Sequence, residues 1–586
     1  MRPLAALLLA CAASTAVAAE EPRPAALPVE WDAPEPLRSQ LQKLLPPPAP
    51  EPGSRRAAVL RPWARDVRRR VPEIAAAEGY FSATVEIDWE GERESAKVTV
   101  VPGPRTTVTG YDIEFAGDIA GEGEERELRR SQLAASWLLG KGSFFRSGDW
   151  EEAKRALRER LAEEDYAAGD IAESVAEVDA DAATARLRVK LDSGPRFTLG
   201  TPILTGLTKY PQTVLQNIVD IKPGERYRQE RLTAMQRALQ NGPWFSSVVV
   251  EIDREAESPD QVAVRIKVIE RPRREIGLAI GYGTDDGPRI ELAYRDRNFF
   301  DRGLDLQSAV RVDGSRQFGY ADLFFPQRLF GPWFGNRATK DSFGVLAERT
   351  DIQNLETRRF AVAGYRQFTI EPVEVRVGLS YQIERSLPQG ADEQLKRALA
   401  PVLALTWRHV DDPFDPRRGG VLTVQFAAAG KALASTQDFF KTYGQYQFWI
   451  PLGANDQVLL RAEAGRTFAT SREGIPEDFL FRSGGSRSVR GYEYQSLGVQ
   501  EGDAIVGGRY LASGSVEYVH WFRPQWGGAV FLDVGDASDS VKDWEPNKGY
   551  GAGVRYKTAA GPLALDVAYA ERDKKFRISF SVSVAF

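Results

Sequence analysis

Few residues in this chain are of the types that carry out covalent chemistry. The 586 residues include two histidines, His409 and His520, and one cysteine, Cys11. A serine hydrolase needs serine, histidine and an acid in contact, but Ser515 and His520 are an odd number of residues apart and would face opposite sides of one strand. The histidines also lack the clustered spacing of metal ligands. We therefore predict that the chain is not an enzyme and has no metal and no cofactor.

The composition argues against a nucleic-acid partner. The net charge is -5 at pH 7, with 82 acidic against 77 basic residues, whereas nucleic-acid-binding domains carry concentrated positive charge. A chain of 586 residues is too long for one ordinary hydrophobic core, so we expect several domains.

The N-terminus has the pattern of a secretory signal peptide, which we place at residues 1–19. Arg2 supplies the charged region, a short apolar stretch follows, and Ala16-Val17-Ala18 fits a cleavage site for small residues. The alternative is a lipoprotein signal that ends at Cys11. Cleavage of an ordinary signal would leave the mature chain without cysteine, although it enters an oxidising compartment.

The second half of the chain alternates between large apolar and small or polar residues. Ile276, Leu278, Ile280 and Tyr282 alternate with glycine and alanine, and the last strand alternates in the same way as far as Phe586. Alternation with period two is typical of a membrane-spanning β-barrel, whose strands face lipid on one side and the lumen on the other. At roughly 20 residues per strand and connection, the length after Pro272 suits sixteen antiparallel strands. Fourteen or eighteen strands also fit.

The first half contains three similar α+β segments, each of which reads β-α-α-β-β. Helical stretches lead to a small aromatic motif, two strands follow, and a Pro-Arg pair closes each copy. This layout resembles POTRA domains, the polypeptide-transport modules of outer-membrane assembly proteins; three unrelated α+β modules are the alternative. In the first copy, Pro72 is expected to kink or restart a helix. The predicted domains are residues 24–106, 107–196, 197–272 and, for the barrel, 273–586.

A group of sequence motifs indicates which family of membrane β-barrels this chain resembles. Val489-Arg490-Gly491-Tyr492 resembles the loop tip of the BamA/TamA superfamily, a tip that folds back into the barrel. Four more segments match that superfamily in the same order, and three modules favour its TamA branch over relatives with about five or two. The four segments are Asp412 to Gly419, Gly507-Gly508 with Glu517, Phe531 to Gly535, and Gly551 to Arg555 followed by Gly561-Pro562.

The resemblance implies that Arg490 pairs with Asp533 and with Glu517 inside the barrel. Strand alternation allows this, because Asp533 and Glu517 would point into the lumen while their neighbours face lipid. A guanidinium holds a carboxylate with two hydrogen bonds, which fixes its geometry. We expect a hydrated pair worth about 0–1 kcal/mol, with a positioning role. An exposed Arg-Gly turn is the alternative interpretation of Arg490.

The resemblance also implies a function in the outer membrane, with the modules in the periplasm. The chain would promote insertion and secretion of autotransporter-type or other β-barrel clients. It would work among outer-membrane lipids with an inner-membrane-anchored TamB-like partner. Clients would enter at a lateral seam between the first and last strands. The alternatives are the outer-membrane end of a lipid-transfer bridge and a two-partner-secretion-type export pore. The lateral seam comprises Ile276, Leu278, Ile280, Gly281, Phe580, Ser581, Val582 and Phe586.

Overall fold

The structure is a computed structural model that describes residues 28–49, 56–88, 96–215, 218–255, 259–285, 287–325, 339–558 and 561–582. The predicted signal peptide and Phe586 lie outside the described residues. The described residues divide into two compact units, one within residues 1–203, 221–234 and 251–264, the other within residues 204–220, 235–250 and 265–586. None of the described helices is both long enough and apolar enough to cross a membrane.

The first module is a three-stranded sheet covered by two helices. Its central strand pairs in parallel with the first strand and antiparallel with the second. Leu37, Leu41, Val67 and Val71 form the helical side of its core. The elements are β1 (Val29–Asp32), α1 (Leu37–Leu44), α2 (Arg56–Ala77), β2 (Thr84–Asp88) and β3 (Ala96–Val101).

The helix does not restart at Pro72 as one alternative of the prediction required, because α2 continues through both Pro62 and Pro72. Leu60, Val67, Val71 and Ala75 recur along one side of the helix and are buried. A continuous apolar stripe gains free energy from burial along its whole length. We infer that this burial outweighs the backbone hydrogen bond that Pro72 cannot donate.

The second module repeats the same order with longer strands. Its sheet again places the third strand between the first, which is parallel to it, and the second, which is antiparallel. Trp150, Ala153, Leu157 and Leu161 bury one face of its second helix. The elements are β4 (Thr107–Ala116), α3 (Glu124–Ala135), α4 (Ser147–Ala162), β5 (Asp170–Asp179) and β6 (Thr184–Asp192).

The third module departs from the expected pattern at its first helix. A single 3-10 turn, Gln212–Val214, lies where that helix was predicted, and the sheet has a short additional strand. The strand order is β8-β7-β10-β9. The elements are β7 (Thr198–Thr205), β8 (Glu225–Arg226), α5 (Gln229–Gln240), β9 (Phe245–Ile252) and β10 (Val262–Glu270).

The remaining strands form a nearly closed sixteen-stranded antiparallel barrel, as predicted. Its strands pair in chain order from β11 to β28, and only the hairpin β22–β23 stands outside this sheet. The strands are β11 (Arg274–Gly283), β12 (Gly287–Phe299), β13 (Leu304–Val312), β14 (Arg316–Phe325), β15 (Thr339–Ile352), β16 (Leu355–Ile370), β17 (Val373–Pro388), β18 (Gln394–Val410), β19 (Gly419–Ala429), β20 (Phe439–Leu452), β21 (Asp456–Phe468), β22 (Val499–Glu501), β23 (Ala504–Val506), β24 (Tyr510–Trp521), β25 (Trp526–Ser538), β26 (Asn547–Thr558), β27 (Gly561–Ala570) and β28 (Lys575–Val582).

Candidate functional site

A long loop, residues 469–509, connects β21 to β24 and carries the predicted tip motif. Its two limbs pair with each other through the backbone. Phe481 and Gly508 exchange hydrogen bonds at 2.9 and 2.8 Å, and the Ser483 N–H donates to Leu497 at 2.8 Å. The loop is therefore a folded element, which gives its tip a defined position.

The tip, Val489 to Tyr492, packs against the wall of the barrel. Val489 and Tyr492 are buried in a small apolar cluster with Leu497 and Ala570. The Tyr492 hydroxyl donates to the Lys548 carbonyl at 3.1 Å. Gly491 has a φ of +95°, and a Cβ there would lie 2.9 Å from the Ala570 nitrogen. The turn therefore requires glycine both for its backbone conformation and for its closeness to the wall.

Arg490 donates three hydrogen bonds to Asp533. Its Nε donates to Asp533 Oδ2 at 2.7 Å and its Nη2 donates to Oδ1 at 2.8 Å. Its backbone N–H also donates to Oδ2, at 3.0 Å. The Arg490 Cζ lies 3.4 Å from the centre of the Phe531 ring. The bidentate pair and the ring plane together fix the orientation of the guanidinium.

The third nitrogen of the guanidinium reaches two further carboxylates. Arg490 Nη1 donates to Glu517 Oε2 at 2.6 Å and to Asp566 Oδ2 at 3.2 Å. Arg555 bridges the same two acids, since its Nε donates to Glu517 at 2.9 Å and its Nη1 donates to Asp566 at 2.5 Å. Arg461 Nη2 lies 3.8 Å from Glu517 Oε2.

These six side chains form what we call the charge network. Three arginines, 461, 490 and 555, face three acids, Glu517, Asp533 and Asp566, so the formal charges balance. Strands β21 and β24 to β27 supply every member except Arg490. The expectation of a hydrated pair is wrong, because the side chains of Arg490 and Asp533 are 3% and 0% exposed. Buried charges are costly unless each is paired, and here each has a partner.

Sequence reasoning identified Asp533 and Glu517 as neighbours of Arg490 but missed Asp566 and Arg555. Arg555 stood in a recognised motif with no partner assigned to it. Asp566 shares one face of its strand with Ala564 and Ala568, both buried in the structure, and this run of small residues was a signal that the acid faces inward. Its contact with Arg490 depends on the pairing of four strands, which no local pattern contains.

Except for Phe586, which the structure does not describe, the predicted seam residues lie on the two edge strands of the barrel sheet, β11 and β28. Ile276, Leu278, Ile280 and Phe580 are exposed on the outer face. The Phe580 N–H donates to Thr284 Oγ1 at 2.8 Å. Within residues 274–285 and 575–582, no ladder of backbone pairs joins these two strands. Each strand therefore offers an edge at which a further strand can pair.

The long loop also touches the chain next to both edges. Ser486 donates from its N–H at 3.2 Å and from its hydroxyl at 2.6 Å to Asp285, which follows β11. Glu493 forms an ion pair with Arg577 of β28. The tip is thus positioned beside the seam.

The histidines do not contribute to this site. His520 Nδ1 lies 2.7 Å from Asp456 Oδ1, and the rings of His409 and Trp407 stack, with their centres 6.1 Å apart. Among the described residues, no three His, Cys, Asp or Glu side chains are grouped so as to hold a metal ion. The arrangement instead suits the positioning of a loop inside a barrel.

Comparisons with known proteins agree with this architecture. A family model described as the Omp85 superfamily domain matches residues 274–586. A second model, POTRA, described as a surface antigen variable number repeat, matches residues 202–271. The first match covers the entire barrel, and the second lies within the third module.

Two relatives are named outer membrane protein assembly factor BamA, and both are 22% identical to this chain over 545 residues. The alignment with the protein of Neorickettsia risticii covers 87% of this chain and 70% of that protein. The alignment with the protein of Neisseria meningitidis serogroup B covers 85% and 66%.

Among solved structures, BamA from Haemophilus ducreyi lacking POTRA domains 1–3 has a TM-score of 0.66 at 14% identity, over 81% of this chain and 98% of that chain. At this identity the likeness is one of fold alone. The family match covers more than half of the chain and coincides with the sixteen-stranded barrel. This chain belongs to the Omp85 superfamily, as an outer-membrane β-barrel protein with its POTRA region in the periplasm.

Proposed function

We propose that the chain promotes the insertion and secretion of autotransporter-type β-barrel clients, as a member of the TamA branch of its superfamily. The observation that carries this proposal is the pair of edge strands, β11 and β28, which lack a backbone ladder between them in the described residues. The names of the two BamA relatives, assembly factors of the outer membrane, support the same class of function.

The physical case rests on backbone hydrogen bonds in lipid. A strand that enters a membrane cannot leave its N–H and C=O groups unpaired, because no water is present to satisfy them. An edge strand such as β11 provides those partners by β-augmentation. The chain would thus lower the barrier to insertion without any covalent step, and the folding of the client would supply the free energy.

The side chains along the seam suit weak closure. Gly277 and Gly281 lie on the inward side of β11, where they alternate with large apolar residues that are exposed. Ser579 and Ser581 hold the corresponding positions on β28. Small side chains pack little across a junction, so less apolar contact is lost when the strands separate.

A disulfide across the seam tests the proposal. Cysteines are introduced at Gly281 and Ser581, near the Thr284–Phe580 contact, and the purified protein is oxidised in liposomes. We expect the oxidised form to lose assembly of an autotransporter client and reduction to restore it, because the client can no longer separate β11 from β28.

The matched control places the same disulfide between two strands that are already paired. Ala363 and Ser380 face each other in the β16–β17 ladder, so cysteines there leave the seam free. Unimpaired client assembly by the oxidised protein with cysteines in place of Gly281 and Ser581 would contradict the proposed function.

The proposal includes a TamB-like partner anchored in the inner membrane. Three α+β segments precede the barrel, which is the number expected in the TamA branch. We assign binding of that partner to the first module, which is the module farthest from the barrel in the sequence.

The same liposomes distinguish two other functions. Lipid movement between membranes without client insertion would indicate the end of a lipid-transfer bridge. Export of an unfolded polypeptide through the barrel would indicate a two-partner-secretion-type pore. Either result, in place of client insertion, would replace the proposed function.

A further inference from the structure

Four arginines lie close together on the outer face of the barrel, near one end of strands β15 to β18. They are Arg349, Arg358, Arg385 and Arg397, all of them exposed, and we call them the arginine row. Arg349 is the register partner of Arg358, and Arg358 is the register partner of Arg385. Arg397 is the register partner of Ile383, two residues before Arg385.

The alternation of the strands shows that these side chains point away from the lumen. On β17, Glu384 and Ser386 are buried, whereas Arg385 between them is exposed. On β16, Arg358 shares its face with Phe360, which is 52% exposed, because every second residue of a strand faces the same side. The arginine row therefore belongs to the wall that meets lipid and is separate from the charge network.

The arginine row lies at the end of the barrel that faces the cell exterior. The chain enters β11 directly from the periplasmic region, and the barrel strands then alternate in direction. Strands β15 and β17 therefore run away from the periplasm, and the row lies close to their final residues, Ile352 and Pro388. The lipid next to the row is that of the outer leaflet.

The apolar wall below Arg397 has the height of a membrane core. The outward positions of β18 between Arg397 and His409 carry three leucines, one proline and one tryptophan. This stretch covers about 40 Å along the strand, or about 30 Å across the membrane at a strand tilt of about 40°. It therefore spans the apolar band of such barrels, which is about 25 Å tall, and places Arg397 at the level of the lipid headgroups.

The arginine row has a cost to the sheet. Like charges directly opposite each other on neighbouring strands are destabilising, and the row contains two such pairs. Carboxylates compensate part of this charge. Glu356 accepts hydrogen bonds from Arg349 Nη2 at 3.0 Å and from Arg358 Nε at 2.6 Å, and Glu393 forms an ion pair with Arg385.

The positive charge is in excess on the side of the row nearest the lipid. The carboxylates beside the row, those of Glu356, Glu393 and Asp351, all lie nearer the extracellular turns than the arginines do. Within the described part of the chain, two nitrogen atoms of the Arg358 guanidinium have no hydrogen-bond partner, and the Arg397 side chain has no ion-pair partner. These donors are available to an anion at headgroup level.

From this arrangement we propose that the arginine row binds the phosphate groups of a lipid of the outer leaflet whose headgroup carries two phosphates. A guanidinium holds a phosphate with two parallel hydrogen bonds and is less strongly hydrated than an ammonium group. The row extends over four strands, about 14 Å, which is too wide for one phosphate. Phe360 and Ile383, register partners directly below Arg358 and Arg385, would contact the beginning of the acyl chains. This site is additional to the proposed function.

The combined change Arg358→Gln and Arg397→Gln tests the site. The probe is fluorescent lipid A with two phosphates, titrated against the purified full-length protein in a zwitterionic detergent. We expect the dissociation constant to rise about tenfold or more, because charge-assisted hydrogen bonds to phosphate are lost. The change also relieves repulsion between like charges, so the barrel should fold, and heat-dependent gel mobility verifies this.

The matched control is the combined change Lys542→Gln and Lys574→Gln. Both lysines are exposed in extracellular connections, after β25 and β27, so the control removes the same charge from the same end of the barrel. It should leave the dissociation constant unchanged. Arg397→Gln alone is a second test variant, which breaks no ion pair among the described residues and should also weaken binding.

Three competitors identify the ligand. Dephosphorylated lipid A should bind the unchanged protein much more weakly than the lipid with two phosphates. Inorganic phosphate and heparin, a soluble polyanion, should not displace the lipid at equal phosphate or sulfate concentration. Displacement by either would overturn the assignment to a membrane lipid, as would equal binding of the dephosphorylated form.

Weaker binding in both arginine variants, with the lysine control unchanged, supports the site. Unchanged binding in a folded arginine variant overturns it, as does an equal loss in the control. Client assembly does not enter this measurement, so the proposed function can fail without affecting the result.

Discussion

At the scale of single residues, Arg490 shows how a buried charge is made tolerable inside a barrel. Its five N–H donors match the fixed positions of Asp533, Glu517 and Asp566. Lysine carries the same charge as a point donor and could not reproduce this fork. The charge network has no excess of either sign, so removal of one arginine leaves an acid without compensation.

We expect Arg490→Ala to leave a folded barrel that is less stable and impaired in client assembly. Breaking a buried pair by removing one partner costs about 3–5 kcal/mol, and the tip loses its position beside the seam. Heat-dependent gel mobility reports the stability, and client insertion into liposomes reports the activity.

Arg487→Ala is the control for this variant, since Arg487 is exposed in the same loop. It should behave as the unchanged protein. Normal assembly by Arg490→Ala at the same abundance would show that the charge network has no part in the activity.

At the scale of elements, the turn between β12 and β13 is held by the third module. The indole N–H of Trp244, just before β9, is shared between the carbonyls of Arg297 and Gly303, at 3.1 Å to each. Asn298 Nδ2 donates to the Lys209 carbonyl at 2.9 Å. These contacts fix the end of the first barrel hairpin, which contains the edge strand β11.

The segment that contains Lys209 is itself fixed by Glu270 of β10. Its carboxylate accepts hydrogen bonds from the backbone N–H groups of Thr208 and Lys209 at 2.8 and 2.7 Å. Burial by itself would raise the pKa of Glu270, but these hydrogen bonds hold it below its ordinary value. The carboxylate therefore stays ionised and keeps accepting the bonds at neutral pH.

We predict that Trp244→Phe frees this turn without unfolding the barrel. Phenylalanine keeps an aromatic ring but loses the N–H, at a cost of about 0.5–1.5 kcal/mol. Amide hydrogen exchange of residues 297–303 should become faster. Trp526→Phe, at an exposed tryptophan of β25, should not change it, and equal exchange in both variants would refute the role of Trp244.

At the scale of the whole molecule, the barrel has two possible routes, the lumen and the seam. The proposed function uses the seam, where β11 and β28 lack a backbone ladder in the described residues. In this proposal the first module binds the partner and the barrel receives the client. Truncation of the first module can therefore separate partner binding from the presence of the barrel in the membrane.

We therefore predict that a tagged full-length chain, purified from cross-linked cells, brings with it a TamB-like partner anchored in the inner membrane. A chain without residues 24–106 should lose that partner while its barrel reaches the outer membrane in equal amount. Retention of the partner by the truncated chain would contradict the assignment of the first module.

The sequence by itself determined the features that depend on local chemistry. Alternation from Ile276 onward predicted the barrel, because each strand must turn one face to lipid. The length of the second half suited its sixteen strands. Parity along β25 predicted that Asp533 points inward. The predicted order β-α-α-β-β agrees with the structure in the first two modules.

Only the tertiary structure decided the features that depend on distant parts of the chain. Asp566 and Arg555 join Arg490 through the pairing of β24 to β27, and Glu477 meets Lys396 because the long loop returns into the barrel. The packing of α2 likewise carried the helix through Pro72. Local sequence specifies which face a residue takes, whereas register and loop placement are set by contacts between segments far apart in the chain.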